Sequence, residues 1–128
     1  MSKIKIAFSL VPVGLMALMI GCSGEAEISF NKDVKPILDE NCLKCHVENG
    51  SGFVKTGLDM SSYENLMKGT KFGPIIEPGS SVSSTLARLI SGNADPSLKM
   101  PHGAGSKPLS EGEIATIKAW IDQGAKNN

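Results

Sequence analysis

Hydrophobic and polar positions along the chain fall into three kinds of pattern. The first is an apolar run from Ile6 to Ile20, interrupted only by Ser9, Pro12 and Gly14 and preceded by Lys3 and Lys5. A charged start followed by such a run has the form of a secretory signal, and the run is shorter than the about 20 apolar residues of a membrane span. The second pattern has helical spacing. Phe30, Val34, Ile37 and Leu38 recur at i, i+4, i+7 and i+8, the stripe of an amphipathic helix. Pro36 is tolerated only in a first turn, so the regular helix is predicted to begin between Asp33 and Lys35. Ser61 and Glu64 stand in capping-box register ahead of Leu66 and Met67, with Gly69 as the stop. Leu86, Leu89 and Ile90 mark another short helix before Gly92. Ser110 with Glu113 forms a second capping box, and Leu109 with Ile114 a hydrophobic staple, opening a helix whose stripe is Ile114, Ile117, Trp120 and Ile121 and whose end is Gly124.

The third pattern is a set of loops. Glu48–Gly52, Gly73-Pro74, Pro78-Gly79-Ser80 and the glycine-containing stretch from Met100 to Pro108 hold turn-forming residues without periodicity. No stretch alternates as a strand does, and no internal repeat is visible. The predicted class is therefore all-α: three to five short helices in one domain.

Length and composition narrow the picture. A chain of 128 residues has room for one domain, and aromatic residues make up only 5% of it. Lysine plus arginine and aspartate plus glutamate number 13 each; losing Lys3 and Lys5 with a leader leaves a slight acidic excess. The basic footprint of a nucleic-acid binder is missing, and long-range steering of a charged partner is weak.

Chemistry is concentrated in Cys42-Leu43-Lys44-Cys45-His46. This C-x-x-C-H run is the attachment signature of a c-type haem. Two thiols three positions apart lie on one side of a helical turn, where each can form a thioether with one vinyl group of a single porphyrin. His46 follows on the same face as the proximal iron ligand. A thioredoxin-like redox pair would follow a strand in a βαβ unit, whereas Asp39-Glu40-Asn41 precede this motif at a helix end. Zinc wants four ligands, and Cys42, Cys45, His46 and His102 include no second paired cluster. The second nitrogen of His46 needs an acceptor, expected among the backbone carbonyls from Val54 to Leu58.

Met19-Ile20-Gly21-Cys22, at the end of the apolar run, resembles the lipobox of bacterial lipoproteins, with Met19 where that family usually has leucine. The resemblance implies lipidation of Cys22, a signal peptide over residues 1–21, a polar tether over 22–29 and a membrane-held domain over 30–126. Cys22 would otherwise stand as an odd exported thiol. The export that this resemblance implies places the domain in the bacterial cell envelope, facing the periplasm or carried as an outer-membrane lipoprotein.

A second iron ligand decides whether such a site carries electrons or does chemistry. Met60 and Met67 follow His46 too closely to round a porphyrin edge and read as core fillers. Met100, backed by Pro101 in the loop before the last helix, is the favoured sixth ligand, with His102 as its competitor. Phe30, Asp33–Leu38, the C-x-x-C-H run, Pro78-Gly79-Ser80, Met100-Pro101, Leu109-Ser110 and Trp120–Ala125 together resemble the planctomycete-type branch of class I cytochrome c domains. That resemblance implies a small class I cytochrome c fold around one covalent haem c, His46 proximal and Met100 distal, with the first and last helices crossing near Trp120. Where that branch often has a second proline, this chain has His102.

The expected function is that of an electron carrier rather than an enzyme, passing single electrons between periplasmic or membrane redox partners. Two other readings compete. One is a haem enzyme or gas sensor with an open iron site, such as a peroxidase, for which only His102 could act as the distal base. The other is an electron-input subunit docked to a larger oxidoreductase.

Overall fold

The computed structural model describes residues 24–103 and 105–128. The apolar run and Cys22 lie outside the described residues, within which no helix is long and apolar enough to cross a membrane. The described chain is helical and has no strand, only an isolated bridge between Thr70 and Gly73. Five α-helices follow in order: α1 Lys35–Asn41, α2 Ser51–Thr56, α3 Tyr63–Lys68, α4 Thr85–Ile90 and α5 Glu111–Asp122. A π-helical turn, Phe30–Val34, leads into α1, and a 3-10 turn, Pro96–Leu98, precedes Met100.

Local chemistry sets most boundaries. Pro36 sits in the first turn of α1, as its missing N–H demands. Phe30 is reached through the π turn, capped by the Ser29 hydroxyl accepting from the Lys32 N–H. Both halves of the predicted capping box at Ser110 and Glu113 are present. The Ser110 backbone N–H and hydroxyl that donate to Glu113 hold its carboxyl below the ordinary range. At α3 the cap is displaced by one residue from the expected Ser61: Ser62 takes the position and accepts from the Asn65 N–H at 3.1 Å. Ser61 instead donates its N–H to the Asp59 carboxylate at 2.8 Å, an Asx turn that pre-empts it. Gly69 stops α3 at φ +77, and a Cβ there would lie 2.5 Å from the Gly73 carbonyl oxygen. Only glycine meets both conditions.

The core draws on every helix but α2. Val34, Leu38, Leu66, Ile117, Trp120 and Ile121 are fully enclosed, and Leu58, Met60, Ile75, Ile76, Leu86, Ile90 and Leu109 complete it. Trp120 is its centre. Its ring lies 5.4 Å from Phe30 and 6.4 Å from Tyr63, and Phe30 meets Tyr63 edge-on at 5.2 Å. Aromatic groups at these separations attract beyond the area they bury. The indole N–H donates to the Lys126 carbonyl at 2.9 Å and the Tyr63 hydroxyl to the Ala125 carbonyl at 2.8 Å, so neither polar end is buried unpaired. The π turn thereby packs on α5, and α1, continuous with that turn, is delivered beside it. The packed structure also begins upstream of Phe30, since Ala26 and Ile28 are hydrogen-bonded to Gln123.

Replacing Trp120 with alanine is expected to cost about 3–5 kcal/mol, because it opens a cavity and orphans the Lys126 carbonyl. Denaturant unfolding of the mature protein reads this; Trp120→Phe, which keeps the ring stack, should lose markedly less.

Candidate haem site

The motif cysteines leave α1 in a run of turns. Cys42 caps α1, its N–H donating to the Leu38 carbonyl at 2.9 Å, and Cys45 and His46 both donate to the Cys42 carbonyl, at 3.1 and 3.0 Å. That tight winding keeps Cys42, Cys45 and His46 together. Both thiols are free and half-buried. Burial pushes the Cys42 thiol up to about 11, with the neighbouring Cys45 and Glu113 adding to the shift. A thiol so desolvated stays protonated at neutral pH and packs as a small apolar group. Cys42 and Leu43 accordingly pack against the core alongside Met67, Met100 and Ile114.

His46 is buried, and its Nδ1 has no hydrogen-bond partner. Burial lowers the tendency of the ring to hold a proton; the Leu58 backbone opposes this, and the charge of His102 adds to it. Leu58 lies within the Val54–Leu58 range expected to supply an acceptor, and its carbonyl bears on the ring without closing a hydrogen bond onto Nδ1. With Nδ1 turned toward the backbone of α2, Nε2 is the nitrogen the neutral imidazole has left to ligate a metal.

The stretch after the motif folds over this ring. The Cys45 carbonyl accepts from the N–H groups of Gly52 and Phe53 at 2.9 and 3.1 Å, and the His46 carbonyl accepts from Met60 at 2.7 Å. Ser51 and Gly52, expected in a loop, are the first residues of α2. The helical pattern was illegible because α2 buries none of its residues and so carries no apolar stripe. Gly52 is what sequence reasoning missed. A Cβ on it would meet His46 Cε1 at 2.6 Å, Nδ1 at 2.8 Å and the Cys45 oxygen at 2.9 Å. Helix α2 therefore abuts the imidazole through a bare backbone, and nothing larger than hydrogen fits.

On the far side of the sequence, Met100 is half-buried against the core, its N–H donating to the Leu89 carbonyl of α4 at 3.2 Å. His102 is exposed. Met60 is buried and Met67 packs on the core, in keeping with their reading as filler. No group of three or more His, Cys, Asp or Glu residues that could hold a bare metal ion occurs among the described residues. Two free thiols three positions apart on one run of turns, a buried histidine directly after them and a half-buried thioether fit a covalently held haem.

Residues 42–103 match the family model described as Planctomycete cytochrome C. The chain carries a planctomycete-type cytochrome c domain. The match opens on Cys42 and runs past Met100 and His102, so it covers the motif, the α2 fold-over and the Met100 loop. No curated protein and no solved structure matched the chain. A c-type cytochrome domain implies covalently bound haem c, iron and electron transfer, and the helical, strand-free fold of the described residues accords with it.

Gly52→Ala is expected to rotate or displace the His46 ring. Mature protein should then show an altered low-spin electron paramagnetic resonance signature and a shifted midpoint potential. Gly112→Ala, on α5 where a Cβ meets nothing within 4 Å, should leave both unchanged. An unaltered signature in Gly52→Ala would show that the ring does not depend on this contact.

Proposed function

We propose that this cytochrome is a single-haem electron carrier, held to a membrane of the bacterial envelope by lipid on Cys22, that exchanges electrons with periplasmic or membrane redox proteins. The observation that carries the haem reading is the pairing of two free, half-buried thiols on one turn with a buried histidine directly after them. Cys42 and Cys45 would hold the porphyrin covalently, His46 would ligate iron on one face and Met100 on the other. Bound haem supplies a one-electron ferric/ferrous couple.

What the chain contributes is rigidity and dryness. Gly52 lets α2 close against the imidazole, and the Met60 N–H bonded to the His46 carbonyl pins the backbone behind it. Met100 is held to α4 through the Leu89 carbonyl, so the thioether is presented from a fixed backbone. A site with both axial positions filled by protein reorganises little on electron exchange and is closed to small ligands. His102 is exposed, with no carboxylate partner among the described hydrogen bonds, and therefore lacks the buried setting of a distal base. This supports electron carriage over peroxidase or gas-sensing chemistry.

Met100→Ala should abolish the far-red charge-transfer band of an iron–sulphur bond, lower the midpoint potential and allow the reduced protein to bind carbon monoxide. His102→Ala should do none of these. A wild-type protein that is high-spin, or that binds carbon monoxide readily at neutral pH, would refute the His46/Met100 assignment.

A further inference from the structure

The segment that leads from Cys22 into the domain is bound to α5 and the residues after it. Gln123 grips two of its peptide groups: the side-chain oxygen accepts from the Ile28 N–H at 2.7 Å and the amide nitrogen donates to the Ala26 carbonyl at 3.1 Å. Asn128 holds the next turn. Its carbonyl accepts from the Asn31 N–H at 3.0 Å and the Ser29 hydroxyl at 2.8 Å, while its side-chain oxygen accepts from the Phe30 N–H at 2.8 Å. Lys126 and Glu27 add an exposed ion pair at 2.8 Å, which contributes little by itself. Upstream of this clamp Glu25 lies over the outer side of α5, bordering a depression of about 400 Å³ with Ala115, Lys118, Ala119 and Asp122.

Only Ser23, Gly24 and Glu25 therefore separate Cys22 from the clamped Ala26, and four extended peptide steps reach at most ~14 Å. An undocked segment from Cys22 to Phe30 would reach about twice as far. The side of the domain from which the chain emerges is thus kept at the lipid surface. That side has a suitable composition. Lys118 also borders a second depression, beside Arg88 and Val82 of the α4 region. Neither Lys118 nor Arg88 is in an ion pair among the described residues, and Val82 is 81% exposed. Two acids also line this side: Asp122, which accepts from the Ser81 N–H and hydroxyl at 2.6 and 2.9 Å and keeps its charge, and Glu25 beside the emerging chain. With two cations and two acids this side is close to neutral, so it is the short tether that holds it at the bilayer, where Lys118 and Arg88, free of ion pairs, reach phosphate headgroups beside the exposed Val82.

We infer that the α4–α5 face, centred on Val82, Arg88 and Lys118, lies against the bilayer that carries the Cys22 anchor. None of Cys42, Cys45, His46 and Met100 borders either depression. The inference rests on the lipidation of Cys22 proposed above.

The test uses the full chain, matured with lipid and haem, in vesicles of phosphatidylethanolamine with a minority of phosphatidylglycerol. A spin label is placed at Val82→Cys or, in a second preparation, at Phe72→Cys. Phe72 is 82% exposed, in the loop beside the end of α2. The quantity read is the increase in label relaxation when a nickel-chelating lipid is added, which removes the background from haem iron. The expected increase is several-fold larger at position 82 than at 72, and adding Gln123→Ala should shrink that ratio while the haem spectrum stays intact. Equal increases, or a larger one at 72, in acylated and vesicle-bound protein would overturn the orientation alone. Protein that lacks acyl mass and stays in the supernatant would overturn the anchor and the orientation with it.

Discussion

Trp120 is the contact on which the rest of this small domain depends. It joins Phe30, ahead of α1, to Tyr63 at the start of α3 and to the chain beyond α5, with its indole N–H satisfied by Lys126. Stretches far apart in sequence meet at one fully buried ring. The π turn is thereby fastened to α5, and α1, which continues from it without a break, delivers Cys42 beside Glu113 near the start of α5. A domain with so few aromatic side chains gains much of its cohesion from a contact of this size.

From that anchorage the candidate site is built almost entirely by local winding. The turns from Cys42 to His46 are held by the Leu38 and Cys42 carbonyls, and the fold-over from Gly50 to Met60 by the carbonyls of Cys45 and His46. Backbone groups do the positioning, so side chains are left to meet the cofactor. Two glycines are the condition for this economy. A Cβ at Gly50 would strike the Cys45 oxygen at 2.5 Å, and one at Gly52 the His46 ring. The domain brings a desolvated thiol, a buried imidazole and a thioether to the border of its own core, where a large flat apolar group would complete the packing.

Much of this was legible in the chain because the controlling interactions span only a few residues. Pro36, the Ser110–Glu113 box and the α5 stripe of Ile117, Trp120 and Ile121 act within two turns of helix, and each stands where it was expected. Where two local interactions compete for one group, reading from residues fails by a small step: Asp59 occupies the Ser61 N–H and passes the α3 cap to Ser62. Helix α2 escaped altogether, since its role is to lie over His46 with a bare backbone, and hydrophobic periodicity cannot register a face that buries nothing.

By itself the sequence determined the helical class, the ends of the strongest helices and the identity and spacing of Cys42, Cys45 and His46, because covalent neighbours and hydrogen bonds across one turn suffice for these. Only the tertiary structure decided that Gly52 walls the imidazole, that the Leu58 carbonyl bears on it without closing a bond to Nδ1, and that Gln123 and Asn128 fasten the chain at Ala26–Asn31. Each of those relations joins groups whose separation is set by chain closure rather than by local geometry. Their cost in loop entropy is met by the whole core at once, and no short stretch of residues records it.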